Sequence, residues 1–324
     1  MTIQQIYDLA VIMGKQVDPR ADVRNGKWEA KRKKEIAELK PKEKKEIEDN
    51  DPDSLTNPYS DTRILYGDPN VSVDKVMVGI DIDTAEVILA SYLNDKKPKR
   101  TIDLIISHHP MGAAYASLHE VMDLQAEIYA KYGVPINIAE GVMHDRIQEV
   151  ERDISPRNHF QAVDAAKLLN MPLMCSHTAC DNLVFDYLEK LYSKNSCDTV
   201  RDVLILLEKE PEYKIAKERK FGPIIFCGDE HNRCGRVVPA LITGGTEGAE
   251  AIYEKMAIAG VGTIIAMHAS EEHVKKCSKY HMNMVVAGHI SSDSLGVNLF
   301  LDELEQKGIE IVPVSGLIRV KRVK

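Results

Sequence analysis

The chain has 324 residues, of which 44% are hydrophobic and 28% charged, and its formal net charge at pH 7 is -8. This composition is typical of a globular protein with one or two domains, and the acidic balance argues against nucleic acid as a partner. No apolar run approaches the roughly 20 residues of a membrane helix, no signal peptide is recognisable, and the six cysteines are scattered. We therefore expect a cytoplasmic protein without a membrane segment.

Residues 1–60 are expected to form an N-terminal helix followed by a charged arm. Apolar residues recur at helical spacing in the first fifteen positions. The stretch KWEAKRKKEIAELKPKEKKEIED mixes lysine and glutamate in blocks, which is typical of a solvated helix or arm. A nucleic-acid-binding arm is the alternative, but the acids largely neutralise the bases. The following DNDPDSLTNPYSD indicates a loop.

From Val76 onward, short apolar runs alternate with helical patterns. This alternation predicts an α/β fold with mostly parallel or mixed sheets, and continuous apolar character predicts strands that are buried on both faces. The runs interpreted as strands are VMVGIDI, DLIIS, VPINIA, PLMCS, IIFC, VVPALIT, TIIAM, MVVAG and IEIVPV.

An internal repeat organises this region. Residues 76–108 and 237–268 both follow the order strand, turn, helix, strand, histidine. The repeat predicts two similar α/β lobes, which we assign to residues 61–200 and 201–324. A chance likeness between two such units is the alternative, since βαβ units resemble one another.

Histidines follow four of the predicted strands. His108 and His109 come directly after DLIIS, His177 after PLMCS, His268 after TIIAM and His289 after MVVAG. In open α/β sheets, ligands bind at the carboxyl ends of the strands. Four strands that deliver histidine to that edge are hard to explain by core packing, so we expect a functional cleft there.

Carboxylates accompany three of these histidines four residues later. The pairs are His177 with Asp181, His289 with Asp293, and His268 with Glu272. If each motif begins a helix, this spacing puts both groups on one face. Imidazole and carboxylate together suit zinc, iron, manganese or cobalt, and six candidate ligands exceed what one zinc ion takes. The sequence therefore predicts two divalent transition-metal ions per chain.

Two weaker candidates lie in the second half of the chain. Cys227, His231 and Cys234 offer three ligands of a possible metal knuckle, with a loop carrying ordinary thiols as the alternative. The segment TGGTEG (243–248) lies between a strand and a helix, where main-chain N–H groups could bind a phosphate. It lacks the full spacing and the lysine of a phosphate-binding loop, so a glycine turn is the favoured interpretation.

Together, ISHHP (106–110), SHTACDN (176–182) and AGHISSDSLG (287–296) resemble motifs of the dinuclear-metal family known as GTP cyclohydrolase I type 2 homologues, or NGG-one-interacting-factor-three-like proteins. GDPNVSVDKVMVGIDID (67–83) is similar to the family's entry into its first lobe. The resemblance extends over residues 66–316. It implies two similar α/β lobes that face one another across a metal cleft, and a homo-oligomer that is usually a hexamer.

The resemblance also implies roles for individual residues. It makes His108, His109, Asp181 and His289 metal ligands, and His177 a ligand or a close neighbour of one. The family usually has glutamate four residues after the final histidine, where this chain has the shorter Asp293. The helix must then lie closer to the metals, a water must bridge the gap, or one ion must bind more weakly.

The same resemblance places MHASEEH near the cleft, which makes Glu272 and His273 candidates for proton transfer in catalysis. The leading hypothesis is a metal-dependent hydrolase with a small-molecule substrate. The resemblance implies GTP or a similar nucleotide as that substrate, with hydrolytic opening of its ring. No guanine-recognition motif is present in the sequence. The alternative is a non-catalytic metal-binding protein with a regulatory or scaffold role.

Overall fold

Two β-sheets, each flanked by helices, form the centre of the computed structural model, which describes residues 1–23, 27–96 and 101–322. Within these residues the strands are β1 (Thr62–Tyr66), β2 (Lys75–Gly79), β3 (Leu104–Ser107), β4 (Leu173–Ser176), β5 (Ile224–Cys227), β6 (Arg236–Leu241), β7 (Val261–Ala266), β8 (Asn283–Val286) and β9 (Glu310–Val314). The helices there are α1 (Ile3–Gln16), α2 (Pro19–Val23), α3 (Trp28–Glu38), α4 (Pro41–Asn50), α5 (Thr84–Lys96), α6 (Gly112–Ala116), α7 (Asp123–Lys131), α8 (Ile136–Ile154), α9 (Gln161–Leu168), α10 (Thr178–Lys194), α11 (Val200–Lys209), α12 (Pro211–Glu218), α13 (Ile252–Ile258), α14 (Glu271–Lys279) and α15 (His289–Gln306). Short 3₁₀ turns cover Pro52–Leu55 and Leu118–Met122.

The first sheet has the strand order β1-β4-β3-β2-β9. Strands β2, β3, β4 and β9 are parallel, and β1 runs antiparallel to β4 at one edge. Every residue of β2, β3 and β4 is buried, which agrees with the continuous apolar runs in their sequences.

The second sheet repeats this design in the order β5-β8-β7-β6. Here β6, β7 and β8 are parallel and β5 runs antiparallel to β8. The predicted α/β class and the internal repeat are therefore confirmed, and the repeat extends further than the two βαβ units seen in the sequence. Equivalent strands are β1 and β5, β2 and β6, β3 and β7, and β4 and β8.

The last strand crosses from the second half of the chain to the first sheet. Residues 310–314 form β9, which pairs in parallel with β2 from Lys75↔Glu310 to Gly79↔Val314. The lobe limits 61–200 and 201–324 stay a prediction. They assign β9 to the second lobe, although β9 pairs with a strand of the first sheet.

One predicted strand is wrong. VPINIA lies largely within α8. In this helix Ala139, Met143, Val150 and Ile154 are buried, at helical spacing, whereas Ile136 and Ile138 are exposed. A short apolar run does not by itself distinguish a strand from a helix. Here the helical spacing of the buried residues further along the chain indicates that the segment belongs to a helix.

The N-terminal region is helical, as predicted. In α1, Thr2 and Gln5 form a capping box, and the apolar face of the helix is buried. The charged stretch forms α3 and α4, in which Trp28 is the one buried residue and several lysines pair with glutamates four positions away. None of the helices within the described residues has the length and apolar character that crossing a bilayer demands.

Glycines allow two helix contacts that position the site. A Cβ at Gly14 of α1 would lie 2.7 Å from Cα of Ala179, so α1 packs directly on the first turn of α10. A Cβ at Gly296 of α15 would overlap the main-chain oxygen of Cys180. Helices α10 and α15, which are equivalent in the repeat, therefore cross in close contact beside Asp181 and Asp293.

Candidate metal centre

Three parallel strands from both sheets deliver the predicted ligands to one cleft. His108 and His109 follow β3, and His177 follows β4 as the residue before α10. His289 follows β8 and begins α15. Asp181 and Asp293 lie four residues after the last two histidines, and therefore on the same helical face as each of them.

The candidate ligands form two groups, and the first ligand group consists of His108, His177, Asp181 and one oxygen of Asp293. Nε2 of His108 lies 3.3 Å from Oδ1 of Asp181 and 3.6 Å from Oδ1 of Asp293. Nε2 of His177 lies 3.6 Å from Oδ2 of Asp181. The side chain of His108 is fully buried and that of Asp293 is 1% exposed.

The second ligand group consists of His109, His289 and the other oxygen of Asp293. Oδ2 of Asp293 lies 3.4 Å from Nε2 of His109 and 3.5 Å from Nε2 of His289, and the two nitrogens are 3.3 Å apart. The ligand atoms of His109, His289 and Asp293 all lie within 4.8 Å of one another, as do those of His108, Asp181 and Asp293. Asp293 is therefore shared by both groups.

Three outer contacts orient the histidine rings. Nδ1 of His108 donates to the main-chain oxygen of Ser176 at 3.0 Å. Nδ1 of His109 is 2.6 Å from Asp81, and Nδ1 of His177 is 2.8 Å from Asp61. Since these oxygens accept the Nδ1 proton, each ring turns Nε2 toward the centre of the cleft, as metal-binding histidines commonly do.

Unsatisfied polar atoms show that the residues fit metal ions. Among the described residues, Nε2 of His108, Oδ1 of Asp181 and both carboxylate oxygens of Asp293 are buried without a hydrogen-bond partner. Buried polar atoms are normally paired, and a buried carboxylate without partners is costly. Divalent cations would satisfy all four atoms, and nitrogen with oxygen donors suits zinc, iron, manganese or cobalt.

The carboxylates and histidines also shift one another's protonation. Burial lowers the pKa of His108, but Asp293 and Asp181 outweigh it and hold this pKa well above its ordinary value. Burial likewise lowers the pKa of His109, but the neighbouring carboxylates of Asp293 and Asp81 outweigh it and raise this pKa to about 9. Burial lowers the pKa of His289 to about 4. Without metal, a protonated His109 can therefore donate to a neutral His289.

The structure places the two predicted proton-transfer residues outside this group. Glu272 has a side chain that is 56% exposed and pairs with Lys275 at 2.6 Å. His273 is buried, pairs through Nδ1 with the hydroxyl of Tyr253, and has Nε2 3.9 Å from Glu247. His273 thus lies behind Glu247 on the wall of the cleft, and Glu272 lies at the surface.

Sequence reasoning missed three carboxylates. Asp61 and Asp81 lie behind His177 and His109, and Glu247 lies behind His268 at 3.2 Å. Asp81 follows β2 and Glu247 follows β6, so the internal repeat was the signal that could have identified this pair. Asp61 precedes β1, and its partner is 116 residues away in the chain.

The glycine loop has a structural explanation. Gly244 and Gly245 have positive φ, and a Cβ at Gly244 would lie 2.7 Å from Cγ of Gln125. Gln125 of α7 donates to the main-chain oxygens of Gly244 and Thr246. A helix that packs closely on the loop requires these glycines, as expected for a turn, and the loop forms one side of the cleft.

The suggested metal knuckle does not form. Cys227 donates to the main-chain oxygen of Met282, and Cys234 donates to that of Cys197. His231 is 75% exposed and pairs with a neighbouring glutamate. Within the described part of the chain, no potential metal-binding group of His, Cys, Asp or Glu includes these residues.

Comparisons with known proteins agree with the motifs. No family model matches the chain. The chain is 24% identical over 260 residues to the GTP cyclohydrolase 1 type 2 homolog of Clostridium acetobutylicum, which covers 80% of this chain and 87% of that protein. It is also similar to the crystal structure of a NIF3 superfamily protein from Sphaerobacter thermophilus, with a TM-score of 0.66 and 27% identity, over 80% of this chain and 92% of that chain. The resemblance and the fold class predicted from the sequence are confirmed.

Proposed function

We propose that this chain, which is similar to a GTP cyclohydrolase 1 type 2 homologue and to a NIF3 superfamily protein, is a dinuclear metal-dependent hydrolase. The observation that carries the proposal is the buried carboxylate of Asp293, which presents one oxygen to each of two ligand groups. A shared carboxylate between two sets of nitrogen and oxygen donors is an arrangement that suits two adjacent ions.

The chain's own residues hold and orient such a centre. The first ligand group would bind one ion, and the second ligand group would bind the other. Two divalent ions supply Lewis acidity, which makes water reactive near neutral pH and neutralises charge that develops on a substrate. Burial of His108, Asp181 and Asp293 keeps bulk water away from the floor of the cleft.

We propose a nucleotide such as GTP as the first substrate to test. The name of the Clostridium relative motivates this choice, and the reaction would be hydrolytic opening of the purine ring with release of formate. A role for His273 in proton transfer requires a path through Glu247, since Glu247 separates it from the ligands. A role for Glu272 requires movement of its side chain from the surface.

Metal content and turnover together test the proposal. Protein purified without chelator, then reconstituted with zinc, manganese or iron and desalted, is expected to hold about two ions per chain by elemental analysis. It should hydrolyse at least one member of a panel of nucleotides and phosphoesters, with formate release measured for GTP. Less than half an ion per chain would overturn the centre. Two ions without turnover would favour the alternative of a metal-binding regulatory or scaffold protein.

Assembly and location belong to the same proposal. We propose a homo-hexamer, to be measured by light scattering of the eluting protein. We also propose a cytoplasmic location, with which the six free cysteines agree because reducing compartments keep thiols unpaired.

A further inference from the structure

The internal repeat places a second carboxylate–histidine pair beside the metal centre. In the first lobe, Asp81 after β2 holds Nδ1 of His109 after β3. In the second lobe, Glu247 after β6 holds Nδ1 of His268 after β7, with Nδ1 and Oε1 3.2 Å apart. Strands β2 and β3 are equivalent to β6 and β7, so the two pairs occupy equivalent positions in the two lobes.

His268 faces the same cleft as the ligands. Its ring centroid lies 4.7 Å from that of His289, which on its other side lies 5.0 Å from His109. The side chain of His268 is 43% exposed and lines the cleft together with His177 and Asp181. Among the described residues Nε2 of His268 has no hydrogen-bond partner, so this atom is available to a molecule in the cleft.

Glu247 holds this ring firmly. Its side chain is 15% exposed, and its Oε1 accepts both from Nδ1 of His268 and from the main-chain N–H of Ser270 at 2.6 Å. These contacts hold the pKa of Glu247 near 2 against the effect of burial, so it stays a carboxylate at neutral pH. The guanidinium of Arg146 donates to the main-chain oxygen of Glu247, a contact that does not involve the side chain.

His268 is outside the sets of residues whose ligand atoms all lie within 4.8 Å of one another. His268 is therefore placed to contact a molecule that binds next to the ions, and not to bind the ions themselves. Two divalent ions would carry more charge than Asp181 and Asp293, the two carboxylates that would contact them directly, whereas Asp61, Asp81 and Glu247 contact the histidines instead. An anionic group that enters the cleft could therefore contact the ions directly.

We propose that Nε2 of His268 hydrogen-bonds an oxyanion, a phosphate or carboxylate group of the substrate, beside the second ligand group, and that Glu247 is the positioning residue for His268. This inference rests on the proposed dinuclear centre. Inorganic phosphate is a suitable probe because it carries both acceptor oxygens and, near neutral pH, an O–H donor. It can therefore pair with Nε2 whether or not that nitrogen carries a proton.

Calorimetric titration of zinc-loaded, desalted full-length protein with inorganic phosphate tests the contact. His268→Ala is expected to weaken phosphate binding about fivefold, the effect of one hydrogen bond, while zinc content stays at the wild-type level. Glu247→Ala should weaken it by a similar factor. Glu271→Ala, which removes an exposed carboxylate from the first turn of α14, is the matched control and should leave the affinity unchanged.

The double variant separates positioning from a structural role. If Glu247 acts through His268, adding Glu247→Ala to His268→Ala should cause no further loss of phosphate affinity. A further loss would overturn the positioning role. The contact would be overturned if His268→Ala bound phosphate within twofold of the wild-type affinity at full zinc content. It would also be overturned if zinc-loaded wild type bound no phosphate. Either result would leave the dinuclear centre intact. A wild-type chain that takes up no metal would overturn both.

Discussion

At the scale of single residues, we expect Asp293 to decide whether two ions or one can bind. Asp293→Asn keeps the size of the side chain but removes the charge that both ligand groups share. We expect it to hold at least one ion fewer per chain than wild type, as measured by elemental analysis after reconstitution with zinc. Asp186→Asn, near the surface of α10 where Asp186 pairs with Lys190, should keep the wild-type content. Two ions in Asp293→Asn would contradict the shared ligand.

His109 should make the stability of the metal-free protein depend on pH. Its pKa in the folded chain is about 9, above its ordinary 6.5, because the neighbouring carboxylates of Asp293 and Asp81 outweigh burial. This stabilising contribution is fully present below pH 6.5 and is lost as the pH rises through about 9. Thermal midpoints of chelator-treated protein should therefore fall over that range, and less steeply for His109→Gln. A thermal midpoint that rises with pH over this range would contradict the raised pKa of His109.

Single residues also show what the sequence could and could not predict. The six ligand candidates were recognisable because each lies directly after a strand or four residues further along a helix. Asp61, Asp81 and Glu247 were not recognisable, because the sequence around an acidic residue in a loop does not indicate which distant residue it will contact. Their roles depend on which strands become neighbours in the sheet.

At the scale of elements, the crossing of α10 and α15 brings Asp181 and Asp293 together. Gly296→Ala would push the added Cβ against the main chain of Cys180, where a backbone atom cannot yield. We expect a loss of about 1–3 kcal/mol in the free energy of unfolding, typical of overpacking, and weaker zinc binding. Denaturant unfolding and zinc titration measure the two effects.

Gly141→Ala is the matched control for that change. Gly141 also lies inside a helix, α8, but an added Cβ there meets nothing within 4 Å. Alanine should be neutral or stabilise by about 0.5–1 kcal/mol, since glycine is unfavourable inside helices. Equal effects of the two variants would show that the helix crossing does not depend on Gly296.

The same crossing supports one of the answers to a question that the sequence left open. Asp293 is shorter than the usual glutamate, and a closer helix was one of three possible compensations. Gly296 lets α15 approach α10 without an intervening side chain. The two helices at this crossing were expected from the spacing of four residues between histidine and aspartate, whereas the strand proposed at VPINIA was wrong because its apolar run was too short to fix the period.

At the scale of the whole molecule, the ligands come from both sheets, so metal ions should stabilise the fold as a unit. A ligand that binds only the folded state adds about 2.7 kcal/mol at a concentration one hundred times its dissociation constant. Thermal melts should therefore shift upward on zinc loading and return after chelation. His108→Ala should fold but lose most of the shift, and equal midpoints for loaded and metal-free wild type would contradict a centre that joins the sheets.

The repeat was visible in the sequence because both βαβ units keep the same order of strand, helix and histidine. The sequence did not predict that β9 joins the first sheet, because IEIVPV indicates a strand without indicating its neighbour. β9 pairs with β2 because the other strands of the first sheet leave that edge of β2 open. The open edge exists only once the sheet has assembled, so the local sequence does not reveal it.

The position of β9 has a consequence for biosynthesis. On the ribosome, β2 emerges more than 230 residues before its edge partner, as the pairing of Lys75 with Glu310 shows. His289 and Asp293 also arrive late, so a nascent chain that has released β1–β4 presents His108, His109 and His177 without their counterparts from α15. Sequence separations of this size slow folding. If the chain binds two ions as proposed, stable capture of metal would mark a chain whose last helix has docked, because a chain without α15 lacks His289 and Asp293 and keeps only the other four candidate ligands.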